Sequence, residues 1–66
     1  MVPGEPGKRE IYVEFVMQGS LVKATAIESL TGVEASVFGP ATASREALTH
    51  NAVAKLVYLL KKQQRE

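Results

Sequence analysis

Residues 11–28 read IYVEFVMQGSLVKATAIE, and the reading of this stretch decides the fold. Successive side chains of a β-strand point to opposite faces, so apolar residues at every second position mark a strand with one buried side. Ile11, Val13, Phe15 and Met17 share one face of such a strand, and Tyr12, Glu14, Val16 and Gln18 share the other. Gly19-Ser20 follows. Glycine in the first of two loop positions supplies the positive φ of a type II′ turn, which joins antiparallel strands in a fixed register. That register predicts Gln18 opposite Leu21, Met17 opposite Val22, Phe15 opposite Ala24 and Val13 opposite Ala26. It also brings Val16 to Lys23, Glu14 to Thr25 and Tyr12 to Ile27. Slipping the pairing by one residue would carry Lys23 into the apolar face and bury an unpaired charge.

The second strand ends near Glu28. Ser29-Leu30-Thr31-Gly32 then forms a turn whose last residue suits the left-handed conformation that glycine tolerates. Pairing Glu28 with Val33 places Ala26 opposite Ala35 and Ala24 opposite Val37, while Ile27, Thr25 and Lys23 meet Glu34, Ser36 and Phe38. Two hairpins derived separately agree on one core face, and agreement between levels is what specifies a fold. Gly39-Pro40 is expected to stop the third strand, since proline has no donor for a ladder.

A helix follows. Thr42 or Ser44 can supply its N-cap oxygen, Glu46 lies in its first turn, and Lys61 and Lys62 lie in its last, each on the favourable side of the helix dipole. At 100° per residue Leu48, Ala52, Val53, Leu56, Leu59 and Leu60 share one broad arc, with Val57 at its edge. The sequence therefore predicts an α+β fold, βββα: a three-stranded antiparallel meander with one C-terminal helix packed on one face. Pro3, Gly4, Pro6 and Gly7 make residues 1–9 a flexible leader by expectation. The domain is expected over 10–62, with 63–66 a frayed tail.

Sixty-six residues suffice for one small core and no inter-domain cleft. With no cysteine and one histidine, disulfide and thiolate-metal staples are excluded, and neither a metal nor any other cofactor is expected. A net charge of +1 and a pI of about 8.1 lack the strong basic bias of a nucleic-acid binder. No apolar run reaches the length of a membrane span, and residues 1–10 lack the apolar stretch of a signal peptide, so a cytoplasmic protein without a membrane partner is the expectation.

Few residues suggest chemistry. His50 has only Glu46 within helical reach, and a Glu-His pair at that spacing is most simply a solvated surface pair. No phosphate-loop glycine pattern is present. The expectation is a non-enzymatic protein. More informative is the outer sheet face, where Tyr12, Val16, Ile27 and Phe38 stand among Glu14, Lys23, Thr25, Glu34 and Ser36. Apolar residues rimmed by charge suit a protein interface, and the two edge strands could pair with another chain. A homodimer, or an unidentified protein partner, through that face or an edge is the leading functional expectation. The second is nucleic-acid contact through Arg45, Lys55, Lys61 and Lys62.

Ala43-Ser44-Arg45-Glu46-Ala47-Leu48 resembles the strand-to-helix junction of the double-stranded-RNA-binding domain, where a Ser-Lys-Lys-x-Ala-Lys run opens the helix. Arg45 keeps a basic residue at one of the three lysine positions, and that family's first helix has no counterpart here. The resemblance implies a truncated topology of that type and RNA contact. Glu46-Ala47-Leu48, Asn51-Ala52 and Tyr58-Leu59 are similar to strings in small antitoxin domains. Across residues 10–60, Tyr12-Val13-Glu14-Phe15, Val22-Lys23-Ala24-Thr25-Ala26-Ile27, Thr31-Gly32 and Gly39-Pro40-Ala41-Thr42-Ala43 resemble a family of short uncharacterised alphaproteobacterial proteins. That likeness supports the fold and implies no activity.

Overall fold

The computed structural model describes residues 9–64. Of the expected leader only Arg9 falls within this range, and residues 65 and 66 of the expected tail lie outside it. The chain forms β1 (Ile11–Gln18), β2 (Leu21–Glu28), β3 (Glu34–Pro40) and α1 (Arg45–Gln64). The strands make one antiparallel sheet in the order β1-β2-β3, and α1 lies across one face.

Both registers are those read from the turns. Phe15 pairs with Ala24 and Val13 with Ala26 in the first hairpin, and Ala24 pairs with Val37 and Ala26 with Ala35 in the second. Gly19 has φ 63° and no non-glycine residue has a positive φ among the described residues, as a type II′ turn requires. Gly32 has φ 76° and closes the second turn, its N–H donating to the Glu28 carbonyl at 2.9 Å.

The third strand does not stop before Gly39-Pro40 but runs through both. Gly39 pairs with Val22 and Pro40 with Leu21. The Glu28 N–H donates to the Val33 carbonyl, so odd-numbered residues of this strand bond inward to β2 and even-numbered ones point their backbone groups outward. Proline at position 40 therefore sacrifices no ladder bond. Ser44 is the N-cap of α1: its Oγ accepts the Ala47 N–H at 2.9 Å. Gln63 and Gln64 are good helix formers, and the helix continues through Gln64.

The buried core comprises Val22, Ala24, Ala26 and Ala35 from the sheet and Leu48, Ala52, Leu56 and Leu60 from the helix. The four alanines let the helix axis settle onto β2 and β3, and it meets β1 far less. A helix about 10–12 Å wide spans roughly two strands spaced about 4.8 Å apart. The expected burial of the inward row of β1 is accordingly corrected. Val13 and Phe15 are only partly buried against the core, while Ile11 is 37% and Met17 56% exposed.

Candidate functional site

The outer face is built by alternation on three strands, and the register sets its rows: Tyr12–Ile27–Glu34, Glu14–Thr25–Ser36 and Val16–Lys23–Phe38. Its middle is closed. The Thr25 and Ser36 hydroxyls hydrogen-bond at 2.8 Å, and Thr25 is buried. Its corners are open: Tyr12, Val16 and Phe38 are exposed, and Ile27 is half-buried. The four candidate interface residues thus share a face without forming one cluster. The Tyr12 hydroxyl donates to the Glu10 carboxylate. That bond, with the charge of Glu10 and some desolvation, holds the phenol above its ordinary pKa.

The two sheet edges differ. The Ser29 N–H donates to the Glu10 carbonyl, so even-numbered residues of the first strand bond inward to β2, and Ile11, Val13, Phe15 and Met17 direct their N–H and C=O groups outward. Its pairing with β2 is continuous from Ile11 to Gln18, with no bulge, proline or lysine in the strand, the usual devices for blunting an edge. On the β3 edge, Lys55 Nζ donates to the outward carbonyl of Ser36 at 2.9 Å, and Pro40 offers no N–H. The β3 edge is therefore interrupted at Ser36 and Pro40, whereas no described residue bonds the outward groups of β1.

The four basic candidates do not converge. The Arg45 guanidinium stacks over the Phe15 ring at 4.8 Å, and Lys55 is committed to Ser36. Lys61 and Lys62 stand in the last turn, about 24 Å from Arg45 along a helix that rises about 1.5 Å per residue. His50 is exposed, and no hydrogen bond or ion pair ties it to Glu46 among the described residues.

A model of a domain of unknown function, DUF6898, matches residues 8–63, a span that takes in every strand and nearly all of the helix. The chain belongs to the DUF6898 family. No curated protein and no solved structure matches it.

In this DUF6898 domain the most heavily bonded side chain among the described residues is one that apolar periodicity does not single out. Glu28 is fully buried. Its carboxylate accepts the N–H of Leu30 at 2.9 Å and that of Thr31 at 3.0 Å, together with the Thr31 hydroxyl, and it meets Arg9 Nε at 3.3 Å. The Thr31 hydroxyl foremost, then the Leu30 amide, the Thr31 amide and the Arg9 charge, hold its pKa below the ordinary carboxylate value against the opposing effect of desolvation. The site is a turn brace. A signal was present: even parity in β2 puts Glu28 on the core face beside Ala26, where an acid needs partners.

An open hollow of about 250 Å³, lined by Val33, Leu59, Lys62 and Gln63, lies where the end of α1 passes the start of β3. It falls below the usual range of about 300–1,000 Å³ for small-molecule pockets. Among the described residues no group of three His, Asp or Glu side chains is placed to hold a metal ion, and no helix is long and apolar enough to cross a membrane.

Proposed function

We propose that this domain is a non-enzymatic protein-interaction module that acts as a homodimer through its sheet. The observation that carries the reading is β1. None of its eight residues is buried, and Ile11, Tyr12, Val16 and Met17 are each more than a third exposed, so an apolar strand keeps exposed residues on both faces although Val13 and Phe15 pack partly against the core. Exposed apolar area of this kind, rimmed by charge, is what association buries. A phosphate-binding role draws less support, because Arg45 and Lys55 already have partners within the fold. A cytoplasmic setting in an alphaproteobacterium belongs to the same proposal, resting on the family resemblance and a cysteine-free composition.

Light scattering across a dilution series tests it. The expected result is twice the chain mass at high concentration, falling toward the monomer on dilution. A constant monomer mass up to the highest soluble concentration refutes it.

A further inference from the structure

We infer that two copies join edge to edge through β1, antiparallel about a two-fold axis at Val13, to make one six-stranded sheet. This rests on the homodimer reading above and names its geometry.

The β3 edge is interrupted where Lys55 takes the Ser36 carbonyl and where Pro40 lacks an N–H, whereas Ile11, Val13, Phe15 and Met17 hold their backbone donors and acceptors outward along a continuous strand. A second copy presents the same set, and two such strands run antiparallel satisfy one another.

Only odd-numbered residues of β1 carry outward groups, so the pairing must set odd residues opposite odd ones; a two-fold at residue 12 would leave Met17, and one at residue 16 would leave Ile11, opposite no residue of the 9–19 segment, so the axes that remain are 13, 14 and 15. Passing it through Glu14 faces that carboxylate against its own copy, a destabilising cross-strand pair. Passing it through Phe15 sets the two Phe15 rings together with the Arg45 guanidinium that covers each, bringing like charges close. Passing it through Val13 pairs Ile11–Phe15 of the two strands, sets Arg9 and Glu10 just ahead of the strand opposite Met17 and Val16, and avoids both conflicts. Val13 then meets Val13 of the partner subunit, and Ile11 meets Phe15 of the partner subunit in both senses. On the outer face Tyr12 lies opposite Glu14 of the partner subunit.

Lys55 reaches the β3 edge, so the opposite flank of the helix, Thr49, Val53 and Val57 at 100° per residue, looks toward β1. All three are only half-buried. Joining two copies puts the Ile11–Val13–Phe15 rows side by side on the floor of a trough between the two helices, an apolar surface continuous across the axis.

Solution NMR on the full chain tests this. In a sample mixing labelled and unlabelled copies, an intermolecular contact between the Hα protons of Tyr12 and Glu14 is expected, since these form the close, non-hydrogen-bonded pair of this register. Amide exchange at Ile11, Val13 and Phe15 should slow at least tenfold between dilute and concentrated samples. Val13→Pro, which removes an outward donor and no bond to β2, should weaken dimerisation at least tenfold. An intermolecular contact of Glu14 with itself or with Val16 overturns the register. A dimer that forms without slowing those amides, and that Phe38→Lys dissociates, overturns the edge while leaving the homodimer reading intact. A monomer at every concentration overturns both.

Discussion

Gly39→Ala is a sharp test of how closely α1 sits on the sheet. A Cβ at Gly39 would lie 2.7 Å from Leu48 Cδ2 and 3.5 Å from the Ala43 Cβ, where carbon atoms ordinarily rest about 3.5–4.0 Å apart. Gly39 does not have a positive φ, so alanine fits the backbone. Two effects oppose each other. Losing a glycine restricts the unfolded chain and stabilises by about 0.4–1 kcal/mol, while overpacking costs about 1–3 kcal/mol. Leu48 is only 5% exposed, which leaves its methyl little room to swing away, so the clash should win by about 1 kcal/mol. That corresponds to roughly 4–8 °C in melting temperature for a domain of this size. Urea denaturation at one fixed protein concentration would measure it, alongside Leu48→Ala and the double variant. Leu48→Ala alone should cost about 2–5 kcal/mol. In its background Gly39→Ala should become neutral or stabilising, because the obstructing methyl is gone. A stabilising Gly39→Ala in the wild-type background, or single effects that add within about 0.3–0.5 kcal/mol, would refute the close approach.

Two further outcomes follow from the bonding of the turn and the edge. The folded-state pKa of Glu28 is depressed, so its contribution is fully present above the unfolded value of 4.5 and is lost as pH falls through the lower folded value. Glu28→Gln should therefore flatten the acid limb of a plot of melting temperature against pH, and an acid limb identical to wild type would show that Glu28 does not carry it. Lys55→Met should cost less than about 1 kcal/mol, since the bond it removes is exposed to water. Freeing the Ser36 carbonyl should nevertheless promote association beyond the dimer at high concentration, and light scattering unchanged from wild type would show that the lysine does not guard that edge.

The pattern of the chain carried the fold because each inference had a local cause. Gly19 and Gly32 fixed two registers through the φ they permit, and the leucine arc fixed the face that α1 buries. The N-cap was narrowed to Thr42 or Ser44, and only the position of the Ala47 amide decides between them. Gly39 was legible as punctuation, yet its steric reason is Leu48, a residue nine positions away that meets it only once the helix has docked. Glu28 was overlooked because a search for apolar periodicity assigns polar residues to the remainder. Its partners, the amides of Leu30 and Thr31, exist as a site only after the turn closes. Of the candidate interface, Tyr12, Val16, Ile27 and Phe38 were correctly assigned to one face by parity, whereas the exposure of Ile11 and Met17 on the opposite face was not foreseen.

That last difference has a single cause with consequences for association. Helical periodicity determines which side of α1 faces the sheet but not where the axis lies across the strands. Lateral position is decided by which strands offer small residues. Ala24, Ala26 and Ala35 belong to β2 and β3, and β1 offers Val13 and Phe15 at the matching positions, bulkier groups over which the axis would have to ride higher. The helix therefore shifts toward β3, where Lys55 comes within reach of the Ser36 carbonyl. The same displacement that caps one edge uncovers the inward row of the other. Arg45 spans part of the gap by stacking on Phe15, an interaction worth about 0.5–1 kcal/mol at an exposed site, too little to replace the cover that a second helix or a second strand provides. Replacing Ala24 and Ala35 with larger apolar residues should thus lift α1, draw Lys55 off its carbonyl and weaken the distinction between the two edges. The choice of edge for self-association is in this sense determined by three alanines that never reach the surface.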